Sequence, residues 1–278
     1  MPLAVKVDMT YRIGPSRLVM LAIEAARTAG QTILEERLSI DGATLDRIPG
    51  ESGVGTRIWA HLASRELRLR YRAEVEVTER DLSLEDLCAH PVHELPAEAF
   101  TYLRPSRFCQ SDEFVGFATN RFGALEGGAK IAAIRDWVAR EVRYSPATSD
   151  AQTTVLDTFA RREGVCRDFA HLVCAMSRAS GIPARYASAY GLGVDPPDFH
   201  AVAQVWLEGD WHLVDATRMC STAEMVMIGV GRDAFDAPFM ETEDDANLLE
   251  QRVAVSRTSQ ENTSGGFDEK QGSAARRG

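Results

Sequence analysis

The chain has 278 residues, is 45% hydrophobic, and is acidic, with 41 Asp and Glu against 31 Lys and Arg for a net charge of -10. That is enough apolar content for one large domain or two modest ones, and the acidic balance argues against a nucleic-acid binder, which needs a basic surface. The five cysteines, at 88, 109, 166, 174 and 220, form neither a paired framework nor a zinc spacing, so reduced thiols in a cytoplasmic setting are the expectation. The start, Met1 to Asp8, lacks a charged-then-apolar leader, and no apolar run approaches the ~18 residues that span a bilayer. Neither a membrane nor a nucleic acid is expected as a partner.

Strand signals fill the first ~80 residues, taken as the length of a small sandwich. Val5 to Ile13, Arg17 to Ala25, Gln31 to Ile40, Val54 to Leu62 and Glu66 to Val77 are the predicted strands. Leu67 to Val77 alternates apolar and charged residues, the period of a half-buried strand. Gly14-Pro15, Asp41-Gly42 and Pro49-Gly50 read as turns between them. Residues 1–85 are therefore expected to form an antiparallel β-sandwich domain. Leu82 to Asp112, with Pro91, Pro96 and Pro105, reads as a connection.

From Ala129 to Arg143 the period becomes helical, with Ile131, Ile134, Trp137, Val138 and Val142 on one side. A second helix is predicted over Ala151 to Arg162. A third starts at or near Cys166 and stops at Ser180-Gly181-Ile182-Pro183, a Gly-then-Pro ending. Short strands follow at Arg185 to Tyr190, Phe199 to Leu207, Trp211 to Ala216 and Leu248 to Val255. Residues 86–255 thus read as an α+β core with its linker. The polar stretch 256–278 cannot bury enough apolar surface to offset its ordering entropy, which predicts a disordered tail.

Cys166, His200 and Asp215 stand out in that frame. A thiol attacks only as thiolate, and its free pKa is about 8.5. A helix N-terminus carries partial positive charge and unsatisfied N–H groups that favour the anion, and Gly164 allows the tight turn leading in. Cys174, amid apolar neighbours in mid-helix, reads as a small buried hydrophobe. If Glu208 and Gly209 form a two-residue hairpin loop, Leu207 pairs with Asp210 and Trp206 with Trp211. Continued, that register puts His200 and Asp215 on one face as diagonal neighbours, about 7–8 Å apart at the backbone. A one-residue slip would separate them. Such a His–Asp pair fixes the imidazole tautomer and leaves the second ring nitrogen for the thiol proton.

Four segments then carry a resemblance. They are Gly164-Val165-Cys166-Arg167-Asp168-Phe169-Ala170, Gly181-Ile182-Pro183-Ala184-Arg185-Tyr186, Phe199-His200-Ala201 and Trp211-His212-Leu213-Val214-Asp215-Ala216-Thr217. Together they resemble the bacterial transglutaminase-like superfamily, over about residues 100–239. Gly231-Arg232-Asp233-Ala234-Phe235-Asp236 resembles a segment that follows the core in bacterial members. Tyr11-Arg12-Ile13 and Tyr102-Leu103-Arg104-Pro105-Ser106-Arg107 resemble the β-rich domain often fused to it. Ala216 replaces a frequent proline and Val202 a frequent aromatic residue; neither change removes a reacting group.

The resemblance implies a papain-like α+β core, helices on an antiparallel sheet, with Cys166, His200 and Asp215 as a catalytic triad and no cofactor or metal. The implied chemistry is acyl transfer through a thioester, on a protein or peptide substrate. Hydrolysis, as a cysteine protease or amidase, needs only water. Transamidation onto a primary amine needs an acceptor site that the sequence does not display. A catalytically silent binding module is the remaining alternative. The Cys166 N–H is one oxyanion donor. Ala160 stands where a papain-type glutamine would supply the other, which leaves Tyr144 and Trp137 as candidates.

Other constellations carry less. Cys88, His90 and His93 lie close together in a Pro-containing connector with no second ligand cluster. His171 projects about 140° from Cys166 around the helix and reads as a packing residue or one that supports the site from behind. His212 falls on the strand face opposite Asp215. Asp168 complements the helix dipole. Gly191-Leu192-Gly193 lacks the helix start a nucleotide loop needs and is expected instead to border the cleft near His200.

Overall fold

Alternating apolar and charged residues build the first part of the structure, a computed structural model that describes residues 1–78 and 83–258. Six strands come first: β1 (Leu3–Ile13), β2 (Leu18–Leu21), β3 (Gln31–Ile40), β4 (Ala43–Pro49), β5 (Thr56–Leu62) and β6 (Glu66–Val77). In β6, Leu67, Leu69, Tyr71, Ala73 and Val75 are buried and Arg68, Arg70 and Glu76 are exposed, as the two-residue pleat requires. A helical stretch follows, with α1 (Ala97–Phe100), α2 (Val115–Phe122), α3 (Gly127–Glu141), α4 (Val155–Arg161) and α5 (Cys166–Ala179). Two short strands, β7 (Arg143–Tyr144) and β8 (Glu163–Gly164), pair in parallel just before α5. The chain ends in β9 (Ala184–Gly191), β10 (His200–Leu207), β11 (Asp210–Val214), β12 (Met225–Gly231), β13 (Met240–Thr242) and β14 (Ala246–Arg257).

Three four-stranded antiparallel sheets result, in the orders β14-β1-β6-β3, β13-β2-β5-β4 and β11-β10-β9-β12. The first two enclose one apolar core, with Val5, Val7, Ile58, Leu69 and Tyr71 at its centre. In the third, β9, β10 and β12 are buried at every residue. The α5 residues Leu172, Val173 and Met176 pack with Ala184, Ala203, Val205 and Leu207 in one core. On the other face, Ala187, Val202, Leu213 and Met227 meet Ala26 and Val54 of the sandwich region. The fold is thus α+β, a helix-covered antiparallel sheet joined to a β-sandwich.

Buried polar groups tie the two parts together. The Tyr190 hydroxyl donates to Ile23 O at 2.6 Å. The Gln31 amide donates to Met227 O at 3.0 Å and accepts from Met227 N at 2.8 Å. Each pairing removes a buried backbone group that would otherwise be costly to leave unmet.

The structure departs from the sequence reading in several places. β14 does not belong with residues 86–255: it pairs with β1 from Leu3↔Arg257 to Ile13↔Ala246 and completes the first sheet. Without it β1 would be a long open edge. β13 likewise pairs with β2. The sandwich is therefore closed by C-terminal residues, and Ser256 and Arg257 are strand rather than tail. The tail expectation from 259 onward lies outside the described residues. The strand predicted to run to Ala25 stops at Leu21, because Ala22 N turns to Phe239 O and Ala26 N to Met227 O. The elements β4, β12 and α2 were not foreseen.

Candidate active site

The site begins with a glycine. Gly164 in β8 pairs with Tyr144 in β7, and a Cβ at Gly164 would lie 2.7 Å from Asp168 Cβ and 2.8 Å from its Oδ2. That close approach lets the Asp168 carboxylate reach back over the helix start, where Oδ2 accepts from Val165 N at 2.8 Å. Asp168 is fully buried, so it satisfies an orphan N–H and complements the dipole, as expected. Cys166 is the first residue of α5 and is partly exposed. Its N–H and Sγ sit at the positive end of the helix. Arg167 Nη2 donates to Ser149 Oγ at 2.7 Å and also to Asp150 O, which fastens the loop that edges the site.

His200 and Asp215 are brought together by the β10–β11 hairpin. Glu208 and Gly209 have φ of 51° and 85°, the positive pair that a type I′ loop demands. The register runs Leu207↔Asp210, Trp206↔Trp211 and on to Ala203↔Val214, as predicted. His200 Nε2 lies 3.0 Å from Asp215 Oδ2, with both side chains almost fully buried. Asp215 Oδ1 accepts from Thr217 N at 2.8 Å and Thr217 Oγ1 at 2.7 Å. These bonds orient the carboxylate toward the ring. His200 Nδ1 is buried with no hydrogen bond of its own, and the Cys166 thiol is the ring's other interacting neighbour.

Burial disfavours the imidazolium, yet the hydrogen bonds and charges of Asp215 and Cys166 outweigh it and lift His200 to about 9. For Asp215 burial likewise works against ionisation, and the His200 and Thr217 hydrogen bonds override it and lower the pKa. The pair is therefore an ion pair at neutral pH.

Of the two candidate oxyanion donors, only Tyr144 is at the site. Burial pushes its hydroxyl up to about 12, and the charge of Cys166 adds to that rise, with the Cys166 N–H and thiol both acting on the phenol oxygen. Trp137 is corrected: it packs in the helical core against Phe117 and Phe159 at 5.1 and 5.9 Å, under the Arg162 guanidinium. Its apolar helical neighbours draw it there.

The cleft over Cys166 and His200 has a volume of about 580 Å³. Its walls include Tyr186 and Ser188 of β9, the 234–241 segment, and Gln251 of β14. Gln251 Nε2 donates to Asp198 Oδ1 at 2.7 Å and Tyr11 OH to Gln251 Oε1 at 3.1 Å, so the sandwich holds one wall in place. Sequence reasoning missed this wall because β14 is far from the triad along the chain. The Gly191–Gly193 loop does not border the cleft; Leu192 packs into apolar core, and Asp198 and Phe199 form that edge instead.

His171 does more than fill space. Its Nε2 accepts from Ala234 N at 3.1 Å and thereby holds the cleft segment. Burial, then the charges of Arg167 and Arg178, keep it well below its ordinary pKa and so neutral, as an acceptor must be. His212 Nε2 is 3.1 Å from Leu207 O, away from the triad. Cys174 is buried, and its thiol is pushed up to about 11 by burial. No cluster of three or more His, Cys, Asp or Glu side chains among the described residues could hold a metal ion.

Comparisons with known proteins agree with this architecture. The model of the transglutaminase-like superfamily matches residues 113–216, a span that contains Cys166, His200 and Asp215. The crystal structure of a candidate cysteine protease from Cytophaga hutchinsonii is 33% identical, with a TM-score of 0.84 over 92% of this chain and 90% of that one. The chain belongs to the transglutaminase-like superfamily. Among curated relatives, an uncharacterized protein of Mycobacterium leprae is 35% identical over 117 residues, 39% of this chain and 41% of that protein. One from Mycobacterium bovis is 32% identical over 127 residues, 39% of this chain and 40% of that protein. The chain therefore aligns with about two fifths of the length of these relatives. No helix among the described residues is long and apolar enough to cross a membrane.

Proposed function

We propose that this protein is a cysteine-dependent acyl-transfer enzyme that hydrolyses peptide or carboxamide bonds. One observation carries this reading: a thiol at a helix start and a buried imidazole line one cleft, and the imidazole is hydrogen-bonded at 3.0 Å to a buried carboxylate behind it. His200, as imidazolium, holds the proton that Cys166 has given up, and the sulfur attacks the carbonyl carbon. Negative charge then develops on the carbonyl oxygen, where the Cys166 N–H and the Tyr144 hydroxyl are the donors. Collapse of the tetrahedral species breaks the C–N bond, and His200 returns the proton to the departing amine. Water, deprotonated by His200, adds to the thioester, and collapse releases the acid and the Cys166 thiolate with the proton left on His200. Asp215 keeps the ring oriented and its charge compensated throughout.

Transamidation is the competing reading. Asp198 and Glu241 on the cleft wall are the feature that favours it, since carboxylates suit the ammonium of an approaching amine. Mass spectrometry of peptide and glutamine-protein mixtures, incubated with the full chain, tests both. Cleaved amide bonds with the enzyme and none with Cys166→Ala, at unchanged melting temperature, support hydrolysis. Incorporation of a labelled primary amine would shift the assignment to transamidation. Equal product from enzyme and Cys166→Ala, or alkylation of Cys166 no faster than that of exposed Cys88, would defeat the thiol mechanism altogether.

A further inference from the structure

The sheet that carries His200 also lines a second cavity, of about 230 Å³, that shares no wall with the cleft. Strand alternation separates their walls on β9. Tyr186 and Ser188 of β9 point to the cleft, while Arg185, between the sandwich and the sheet, points the other way. Arg185 is 7% exposed. Its Nε donates to Gln204 Oε1 at 2.9 Å, and its guanidinium lies 4.1 Å from the centre of the Trp211 ring. These contacts, with the Tyr102 ring 5.8 Å from the guanidinium, fix the plane of the fork, and the fork lines the cavity. Beyond Gln204, the Tyr102 hydroxyl hydrogen-bonds to it and the charge of Asp210 acts on it from a distance, and no carboxylate among the described residues forms an ion pair with it within 4 Å. Burial brings it down to about 10, so it stays charged at neutral pH.

A buried charge whose nearest counter-charge is not in contact with it is expensive. A guanidinium whose face is stacked and whose fork opens on a cavity suits a planar carboxylate, which it holds through parallel N–H bonds. Arg27, 78% exposed and only 3.8 Å-paired with Glu36, stands on the same cavity. Met225, Met227 and Leu213 supply an apolar wall. Asp210, at the rim, disfavours a dianion such as phosphate.

We infer that this cavity binds a single carboxylate on a short apolar stem, with the carboxylate on the Arg185 fork, Arg27 at the mouth and the stem against Met225, Met227 and Trp211. Gln204, which positions the fork, lies four residues along β10 from His200, about 13 Å at the strand rise. The site is thus separate from the chemistry and independent of it. Either a free small acid or the C-terminus of a peptide presents such a group.

The test titrates N-acetyl-leucine and N-acetyl-leucinamide into the full chain and follows tryptophan fluorescence and melting temperature. The acid is expected to give a saturable signal and a higher melting temperature, and the amide neither. Arg185→Met should weaken the acid by roughly tenfold or more, the loss of a charge-assisted pair. Arg27→Gln, at an exposed position, should fold normally and weaken it by a smaller factor. Trp211→Phe should remove most of the fluorescence change. Tighter binding of N-acetyl-glycyl-glycyl-leucine than of N-acetyl-leucine assigns the site to peptide termini, and equal or weaker binding assigns it to free acids. Identical behaviour of acid and amide, or unchanged affinity in Arg27→Gln, overturns the inference even if Arg185→Met does not fold. Loss of binding after alkylation of Cys166 would place the ligand in the cleft and overturn it as well. Binding that survives alkylation supports it, whatever becomes of the proposed reaction.

Discussion

Two cation–carboxylate pairs, one on each kind of sheet, show what burial does to the same chemistry. On the β14-β1-β6-β3 sheet, Arg72 and Asp8 meet at 2.8 Å with both side chains 41% exposed. On the β11-β10-β9-β12 sheet, His200 and Asp215 meet at 3.0 Å with exposures of 0% and 4%. The first pair is solvated and screened, and such pairs contribute about 0–1 kcal/mol. The second sits where both sheet faces are covered and water cannot compete. There the carboxylate sets the protonation of its partner and lifts the ring to about 9. The sandwich sheet tolerates charge because one side is wet. The covered sheet turns charge into a tuned site, and becomes correspondingly intolerant.

Asp215→Asn breaks that contrast most severely. An amide in place of the carboxylate orients the ring poorly and cannot compensate the imidazolium, so kcat/KM should fall by about 10²–10⁴-fold. The pH behaviour adds a second readout. His200 has a folded pKa of about 9 against an ordinary 6.5. Its contribution to stability is therefore fully present below about 6.5 and is lost as pH rises through about 9. Asp215 is shifted the other way, so its contribution is present above 3.8 and is lost as pH falls through its lowered folded value. Thermal melts across pH should show the largest wild-type advantage over Asp215→Asn between these limits, shrinking above about 9. An advantage that grew above that point would refute the ion pair.

Val202→Asp tests the intolerance itself. Val202 is 1% exposed and lies two residues from His200 on the face that meets the sandwich. A carboxylate there has no partner, and destabilisation of about 4 kcal/mol is expected in urea melts. A loss under about 1 kcal/mol would mean that water reaches this face. Tyr144→Phe acts on rate alone. Removal of one oxyanion donor should lower kcat by about 10²-fold, close to 2.7 kcal/mol, with KM and melting temperature nearly unchanged. If KM rose and kcat did not, Tyr144 would be binding substrate rather than stabilising charge.

The same contrast decides what could be read from the sequence. Glu66–Val77 and Gln31–Ile40 were placed to the residue, the first because alternation marks a half-wet strand. α5 starts at Cys166, where a glycine-led loop feeding an apolar helical period puts the helix start at or near that residue. β12, Met225–Gly231, is buried at every position, so its uniform apolar run carries no period, and it passed unnoticed. β4 failed for the opposite reason: no residue in Ala43–Pro49 is buried. The His200–Asp215 geometry was legible because a two-residue loop fixes register over short distances. The cleft wall at Gln251 and the cavity at Arg185 were not, since both depend on strands joined only by tertiary pairing. No local pattern encodes that β14 crosses back to β1.

Lys6→Thr should have the smallest effect, and its sign is informative. Lys6 is exposed in β1, a central strand of the sandwich sheet, opposite Arg72 on one side and Ala254 on the other. The Arg72 opposition is a like-charge cross-strand pair, mildly unfavourable. Threonine removes that repulsion and adds a β-branched side chain suited to the pleat. It also frees Arg72 to serve Asp8, which accepts both its Nη2 bonds at 2.8 Å. The net change should lie within about 0.5 kcal/mol, neutral or stabilising, and any gain should shrink as salt screens the repulsion. Activity should not move, because Lys6 projects into solvent from the wet face while the cleft wall rests on Tyr11 and Gln251 of the same sheet. A loss of more than about 1 kcal/mol would show that this face is covered in solution, and that the two sheets differ less than their exposure suggests.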